Sequence, residues 1–370
     1  MRYIWQHIDS IVSSYNGSIP LTYFLKNYFK LHPRLGSRDR KILGEMAYCW
    51  YRSSRGFHLS IPFEEKVKSC LTICGAHSKH ILPFLPQESS EKYPFLINQL
   101  FDQPYTLSSG IKKSEWLESM LAQPRLFIRI RMEKAKILAI LREHSIEHEQ
   151  LNEICLSLPN GAAIDKILPP DYYVVQDASS QETGNFFEPR NGETWYDCCA
   201  GAGGKSLLLK DINPSVSLTV SDKRVTIIRN LNSRFDLYHL KRPVAHILDV
   251  ADKKQVDHAL KGQMFDNIIC DVPCSGSGTW SRTPEQLYYF DNAALATLPA
   301  LQKTIAVNAS VHLKPGGKLF YITCSVFEIE NENVVKNIAA ETNLSIQSQT
   351  LINGIKKHAD SMFITVLTKQ

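Results

Sequence analysis

The stretch Trp195-Tyr196-Asp197-Cys198-Cys199-Ala200-Gly201-Ala202-Gly203-Gly204-Lys205-Ser206 leaves this chain few folds to choose from. An apolar, β-prone run empties into small residues, and an apolar helical pattern resumes at Leu207, Leu208 and Leu209; the reading is strand, tight turn, helix. Glycines let a backbone come close to a ligand, and the helix N-terminus behind them offers free N–H groups.

Three nucleotide sites compete for that turn. A phosphate loop matches Gly204-Lys205-Ser206 but needs its leading glycine at 199, where Cys199 stands. A dinucleotide fingerprint accepts Gly201-x-Gly203 but wants a third glycine where the chain has Ser206. The third is an S-adenosylmethionine site on the same doubly wound plan. All three want an acid at the end of the next strand, about 20 residues on, and Asp222 ends residues 217–221. The turn alone leaves the choice open.

The C-terminal half alternates strand and helix, with strands expected at 193–199, 217–221, 244–248, 265–270, 318–322 and 362–367. That is an α/β, doubly wound, Rossmann-like parallel sheet, whose ligands sit at the carboxyl ends of the strands. Before it, a small α+β unit is expected from a strand at 125–131, a helix at 133–144 and a strand at 154–158. Residues 4–100 are helical in pattern, with Pro20 and Pro33 as punctuation and Ser37 as the N-cap of a helix. A Pro-, Ser- and Gln-rich stretch at 83–110 marks a boundary. The domains expected are 1–115, 116–175 and 176–370, which suits a chain of 370 residues.

Charge divides the chain. Residues 1–150 hold 21 of the 42 basic and 14 of the 37 acidic residues, so the net +5 comes from the N-terminal part. There Lys26, Lys30, Arg34, Arg38, Arg40, Lys41, Arg52 and Arg55 face only Asp39 and Glu45. Such a module suits a polyanion such as RNA, and it suits a solvated helix face equally well. No run of eighteen apolar residues and no signal peptide is seen at the start, so a cytoplasmic protein away from membranes is expected. Nine cysteines without paired Cys-x-x-Cys spacing indicate free thiols and no metal. Cys70 and Cys74 read as core packing, and no oligomeric partner is indicated.

Two strands deliver a cysteine to the rim beside the glycine turn. One runs into Asp271-Val272-Pro273-Cys274-Ser275-Gly276, the other into Thr323-Cys324-Ser325. A lone cysteine there reads as a small buried hydrophobe; two at neighbouring strand ends read as chemistry. In order, the glycine turn and these two motifs resemble the RNA cytosine-C5 methyltransferase family, which includes bacterial 16S ribosomal RNA enzymes and the Nop/Sun-type enzymes. The resemblance spans about residues 120–370 and extends to residues 175–181, 313–317 and 328–332. The stretch from Pro33 to Arg40 with its following helix resembles a NusB-like RNA-binding domain. Gly201-Ala202 stands where the family often has Ala-Pro, and Asp360-Ser361-Met362-Phe363 lacks the family's glycine before its aromatic.

The resemblance implies methylation of cytosine C5 in RNA, most simply 16S rRNA, from S-adenosylmethionine. It implies Cys324 as the nucleophile at C6, Cys274 assisting release, Asp271 at the cytosine edge and Lys205 beside the base or the cofactor carboxylate. Cofactor contacts implied are Cys199, Ala200, Gly201, Ala202, Gly203, Gly204, Lys205, Asp222, Asp249 and Asp271. RNA contacts implied are Arg282 and Pro284. Asp249 also reads as a helix N-cap, and Arg282 as a surface charge. A transfer-RNA methyltransferase and a non-catalytic ribosome assembly factor are the alternatives. The target base is expected single-stranded or flipped out.

Overall fold

The computed structural model describes residues 2–85 and 93–370; residues 86–92, inside the expected boundary at 83–110, lie outside the described residues. The chain divides into two compact units. The first comprises Met1–Pro104, Lys112–Pro124 and Thr279–Asn292, and the second Tyr105–Ile111, Arg125–Gly278 and Ala293–Gln370. The chain therefore leaves the second unit after Gly278 and rejoins it at Ala293, a crossing that no linear boundary describes.

The first unit is helical, with α1 (Arg2–Ser14), α2 (Leu21–Leu31), α3 (Ser37–Ser53), α4 (Phe63–Ile73) and α5 (Lys113–Leu121). Buried residues recur at helical spacing, as Ile4, Ile8 and Ile11 do on α1, and converge on one core. Cys70 belongs to that core and Cys74 follows the end of α4. The N-cap of α3 is Gly36 rather than the expected Ser37, and the Asp39 carboxylate accepts from the Gly36 N–H at 3.0 Å. The acid three residues on does the capping, so the hydroxyl is not needed there.

Lys26, Lys30, Arg34, Arg38, Arg40, Lys41 and Arg55 are exposed, as a basic face requires. Arg52 is the exception. It is buried, and its Nη1 donates to the carbonyls of Met120, Ala122 and Ser281 at 3.0, 3.2 and 2.5 Å. Burial pulls its pKa below the ordinary arginine value. The inserted Thr279–Asn292 segment is tied in further by Glu285, which accepts from the Leu21 N–H, and by Tyr289, which donates to the Tyr15 carbonyl.

The second unit holds two sheets. The small one has order β2-β3-β1-β4, all antiparallel, with β1 (Leu126–Ile130), β2 (Glu149–Gln150), β3 (Cys155–Leu158) and β4 (Tyr173–Val175). Helix α6 (Lys134–Glu143) buries Ile137 and Leu141 against Ile128 and Ile130. The large sheet contains β5 (Thr194–Asp197), β6 (Ser217–Asp222), β7 (Val244–Ile247), β8 (Phe265–Asp271), β9 (Leu313–Thr323), β10 (Leu344–Ile352) and β11 (Met362–Lys369). Its order is β10-β11-β9-β8-β5-β6-β7.

Strands β5 to β9 are parallel, while β10 and β11 form a hairpin that joins β9 antiparallel. The expected all-parallel sheet is corrected at that edge. Only two residues of β10 are buried, so it lacks the alternation that makes a strand readable. The central strands show that alternation on both faces. Tyr196, Ile268, Leu319 and Tyr321 enter one core, and Trp195, Ile269, Phe320 and Ile322 the other. Both faces are covered by helices, as a parallel sheet requires: α7 (Ala178–Glu182), α8 (Gly204–Ile212), α9 (Val225–Leu237), α10 (Lys253–Ala259), α12 (Asn292–Ser310) and α13 (Glu332–Glu341), with α11 (Pro284–Tyr288) in the helical unit.

Candidate active site

Strand order reverses around β5, which has β6 on one side and β8 on the other. The crevice at the carboxyl ends there is where an open α/β sheet takes its ligand. The turn from β5 into α8 runs through Gly201 (φ +53°) and Gly203 (φ +81°), a left-handed backbone that favours glycine. A Cβ on Gly203 would also lie 3.0 Å from Leu231, whereas one on Gly201 or Gly204 would meet nothing within 4 Å. Ala200 bonds by its N–H to the Ser221 carbonyl, the Ala202 carbonyl accepts from Arg234, and the Gly201 N–H reaches the Asp222 carboxylate at 3.2 Å.

A cavity of about 380 Å³ opens beside this turn. Cys199, Asp222, Asp249, Asp271, Cys274 and Cys324 all line it, so six of the expected site residues from five strand ends share one wall. Leu248, Val250, Val272, Leu301 and Ile305 give it an apolar side. Arg282 and Pro284 are not among its lining residues: Arg282 is exposed, and Pro284 is buried at the first position of α11, where its fixed φ suits a helix start.

Lys205, in the first turn of α8, is buried, and its Nζ donates to Asp271 Oδ2 at 2.6 Å. Burial works against the ammonium charge, yet Asp271 outweighs it and holds Lys205 above the ordinary lysine range. Asp197, ending β5, is buried and accepts from Ser206 Oγ at 2.6 Å, while its Oδ1 has no hydrogen-bond partner among the described residues. Burial pushes its pKa up to about 7, against the pull of the Ser206 hydroxyl.

The Asp222 carboxylate receives Arg224 N, Nε and Nη2, each at 2.9 Å, besides the Gly201 N–H. Its acceptor sites are thus filled from within the chain. Asp249 accepts from the Ala251 N–H at 3.1 Å and lies 3.8 Å from Lys223. The N-cap of α10 is Asp252, so the capping role weighed for Asp249 falls three residues later.

The two cysteines meet. Cys274 Sγ and Cys324 Sγ are 3.3 Å apart, and hydrogen bonding to Cys324 together with burial raises the Cys274 thiol well above its usual value. Behind them lies a buried polar network to which the sequence assigned no role, although Ser275, Ser325, Glu330 and Asn331 lie within the motifs quoted above. It comprises Ser275, Ser277, Gln302, Tyr321, Ser325, Glu330 and Asn331. Gln302 carried no local signal, since Lys303 and Thr304 follow it on the same helix.

Residues 185–366 match the family model described as 16S rRNA methyltransferase RsmB/F. Ribosomal RNA small subunit methyltransferase B of Shewanella oneidensis is 31% identical over 189 residues, 51% of this chain and 43% of that protein. The protein of the same name from Photorhabdus laumondii is 28% identical over 296 residues, 72% of this chain and 66% of that one. The chain thus spans between about two fifths and two thirds of the length of these relatives. The crystal structure of PH0851 shares the fold, with a TM-score of 0.72 and 17% identity over 95% of each chain. Among the described residues no helix is long and apolar enough to cross a membrane. Residues 185–366, which hold the motifs and strand-end cysteines described above, are thus similar to the RsmB/F methyltransferase domain, and that similarity covers about half of the chain.

Proposed function

We propose that this chain methylates cytosine C5 in RNA, with 16S rRNA as its substrate, and that Cys324 attacks C6. The carrying observation is the pair of cysteine sulfurs 3.3 Å apart, on the wall of a cavity that also holds the Lys205-paired Asp271. Cytosine C5 is a weak nucleophile. Addition of the Cys324 thiolate to C6 moves electron density to C5, and a cysteine suits this because its thiolate is both accessible and strongly nucleophilic. Asp271, oriented by Lys205, accepts a hydrogen bond from the cytosine amino group and holds the base, while the Lys205 ammonium beside it offsets the negative charge that thiolate addition brings to the ring. After C5 is substituted, loss of its proton and expulsion of Cys324 restore the aromatic base, and Cys274 assists this release.

The residues present fit S-adenosylmethionine: an open glycine turn, an acid ending β6, a second acid after β7 and an apolar wall for an adenine. Cys199 to Lys205, Asp222, Asp249 and Asp271 would hold it. When bound it supplies the methyl group. Arg282, exposed beside Pro284, and the basic face of the NusB-like helical unit supply phosphate contacts.

The test is transfer of labelled methyl from S-adenosylmethionine to total RNA of a host lacking this gene. The expected product is 5-methylcytosine in 16S rRNA, absent with Cys324→Ala and replaced by a trapped protein–RNA adduct with Cys274→Ala. Label in transfer RNA would move the substrate, and no label in any fraction would sink the enzyme reading.

A further inference from the structure

One dipeptide grips both cysteine loops. Glu330 is fully buried; its Oε1 accepts from the Ser275 N–H at 2.8 Å and from Gln302 Nε2 at 2.9 Å, and its Oε2 from Ser275 Oγ at 2.5 Å. Gln302 Nε2 also reaches the Pro273 carbonyl at 3.0 Å, so both neighbours of Cys274 are held. The next residue, Asn331, accepts from Thr323 Oγ1 at 2.6 Å and donates to the Ser325 carbonyl at 2.9 Å, which holds both neighbours of Cys324.

The charges on the two sides differ. Three uncharged donors converge on Glu330, an arrangement that suits an anion, and this anion lies on the Cys274 side, where Tyr321 also faces the thiol. Cys324 faces the Lys205 ammonium, paired with Asp271, and the cavity wall beyond carries Asp222, Lys223, Arg224 and Asp249. Two thiols in contact share a choice of which one ionises; the charges on the Cys324 side balance one another, so the uncompensated carboxylate of Glu330 on the Cys274 side makes that choice.

We propose that Glu330 is a positioning residue that assigns the two cysteines their roles, its buried charge keeping the proton of the pair on Cys274 so that Cys324 is the thiolate. This rests on the reading of Cys324 as nucleophile. A negative charge near Cys274 raises its pKa, in keeping with the direction found there.

The experiment uses the full chain and iodoacetamide, with initial alkylation of Cys274 and Cys324 resolved by peptide mass spectrometry across the neutral and alkaline range. Glu330→Gln preserves the contacts: its amide oxygen accepts from Ser275 N and Gln302, its amide NH₂ donates to the Ser275 hydroxyl, and only the charge is lost. The Cys324-to-Cys274 rate ratio at neutral pH is expected to fall about tenfold, the equivalent of one pKa unit. Ser275→Ala removes one donor and keeps the charge, so it is expected to retain the wild-type ratio. An unchanged ratio in Glu330→Gln overturns the proposal, as does a fall in Ser275→Ala as large as that in Glu330→Gln, because packing would then set the ratio. Preference for Cys274 in the wild type refutes the nucleophile reading instead, and no RNA substrate is needed to tell the two failures apart.

Discussion

The Sγ atoms of Cys274 and Cys324 lie 3.3 Å apart although 50 residues separate them in sequence. Each follows a strand end, β8 for one and β9 for the other, and these strands are neighbours in the sheet.

Sulfurs this close need only a small shift to reach bonding distance. Mild oxidation with diamide, which takes up the two thiol hydrogens, is expected to give a Cys274–Cys324 disulfide and to abolish methyl transfer, with recovery in dithiothreitol. Peptide mapping that finds these two thiols unlinked after full oxidation would contradict the geometry.

Asp197 carries a stability signature in acid. Its folded pKa, about 7, is raised above the unfolded value near 3.8, so the folded chain binds the extra proton between them. Stability from this group is full below the unfolded value and falls as pH rises through that window, flattening above it. Asp197→Asn removes the dependence. Relative to wild type it gains stability from pH 4 to 7, up to on the order of 4 kcal/mol, read as urea unfolding at several pH values.

The Lys205–Asp271 pair carries the opposite, alkaline, signature. The folded lysine pKa is raised, so its contribution is complete below the ordinary value of 10.5 and is lost as pH rises through the folded one. Asp271→Asn leaves a buried ammonium unpaired. The cost should be less than the ~3–5 kcal/mol of a fully buried pair, because the Asp271 side chain is 31% exposed. The difference between the two proteins is expected to be constant through neutral pH and to vanish in strong alkali; a difference that survives there would refute it.

Gly278 packs against backbone. A Cβ at this position would lie 2.1 Å from the Ser361 carbonyl oxygen and 3.0 Å from that of Cys324. Neither can move as a side chain does, so Gly278→Ala is expected to cost about 1–3 kcal/mol or more and to displace the Cys324 loop. Thermal unfolding reads the first effect and the Cys324 alkylation rate the second; wild-type values for both would refute the contact.

How much of this was legible in the chain follows from the range of each signal. The glycine turn, Asp222, Asp271 and both cysteines are readable because strand, turn and helix chemistry is local, spanning a few residues on either side. Strand β10 is not, since six consecutive residues of its nine are exposed and no alternation marks it. Arg52 counts as surface charge in a tally of basic residues, yet carbonyls from two distant segments bury it.

The sequence by itself determined that strands end in chemistry-bearing residues, because alternation and turn composition are properties of neighbours in the chain. Only the tertiary structure decided which ends meet. The β9-β8-β5-β6 order places Cys324, Asp271, Lys205 and Asp222 at one rim. It also lets Glu330 and Gln302 hold the Cys274 loop, 55 and 29 residues away in sequence. Those pairings depend on how the two sheet faces bury their side chains, and no local pattern encodes a partner found tens of residues away.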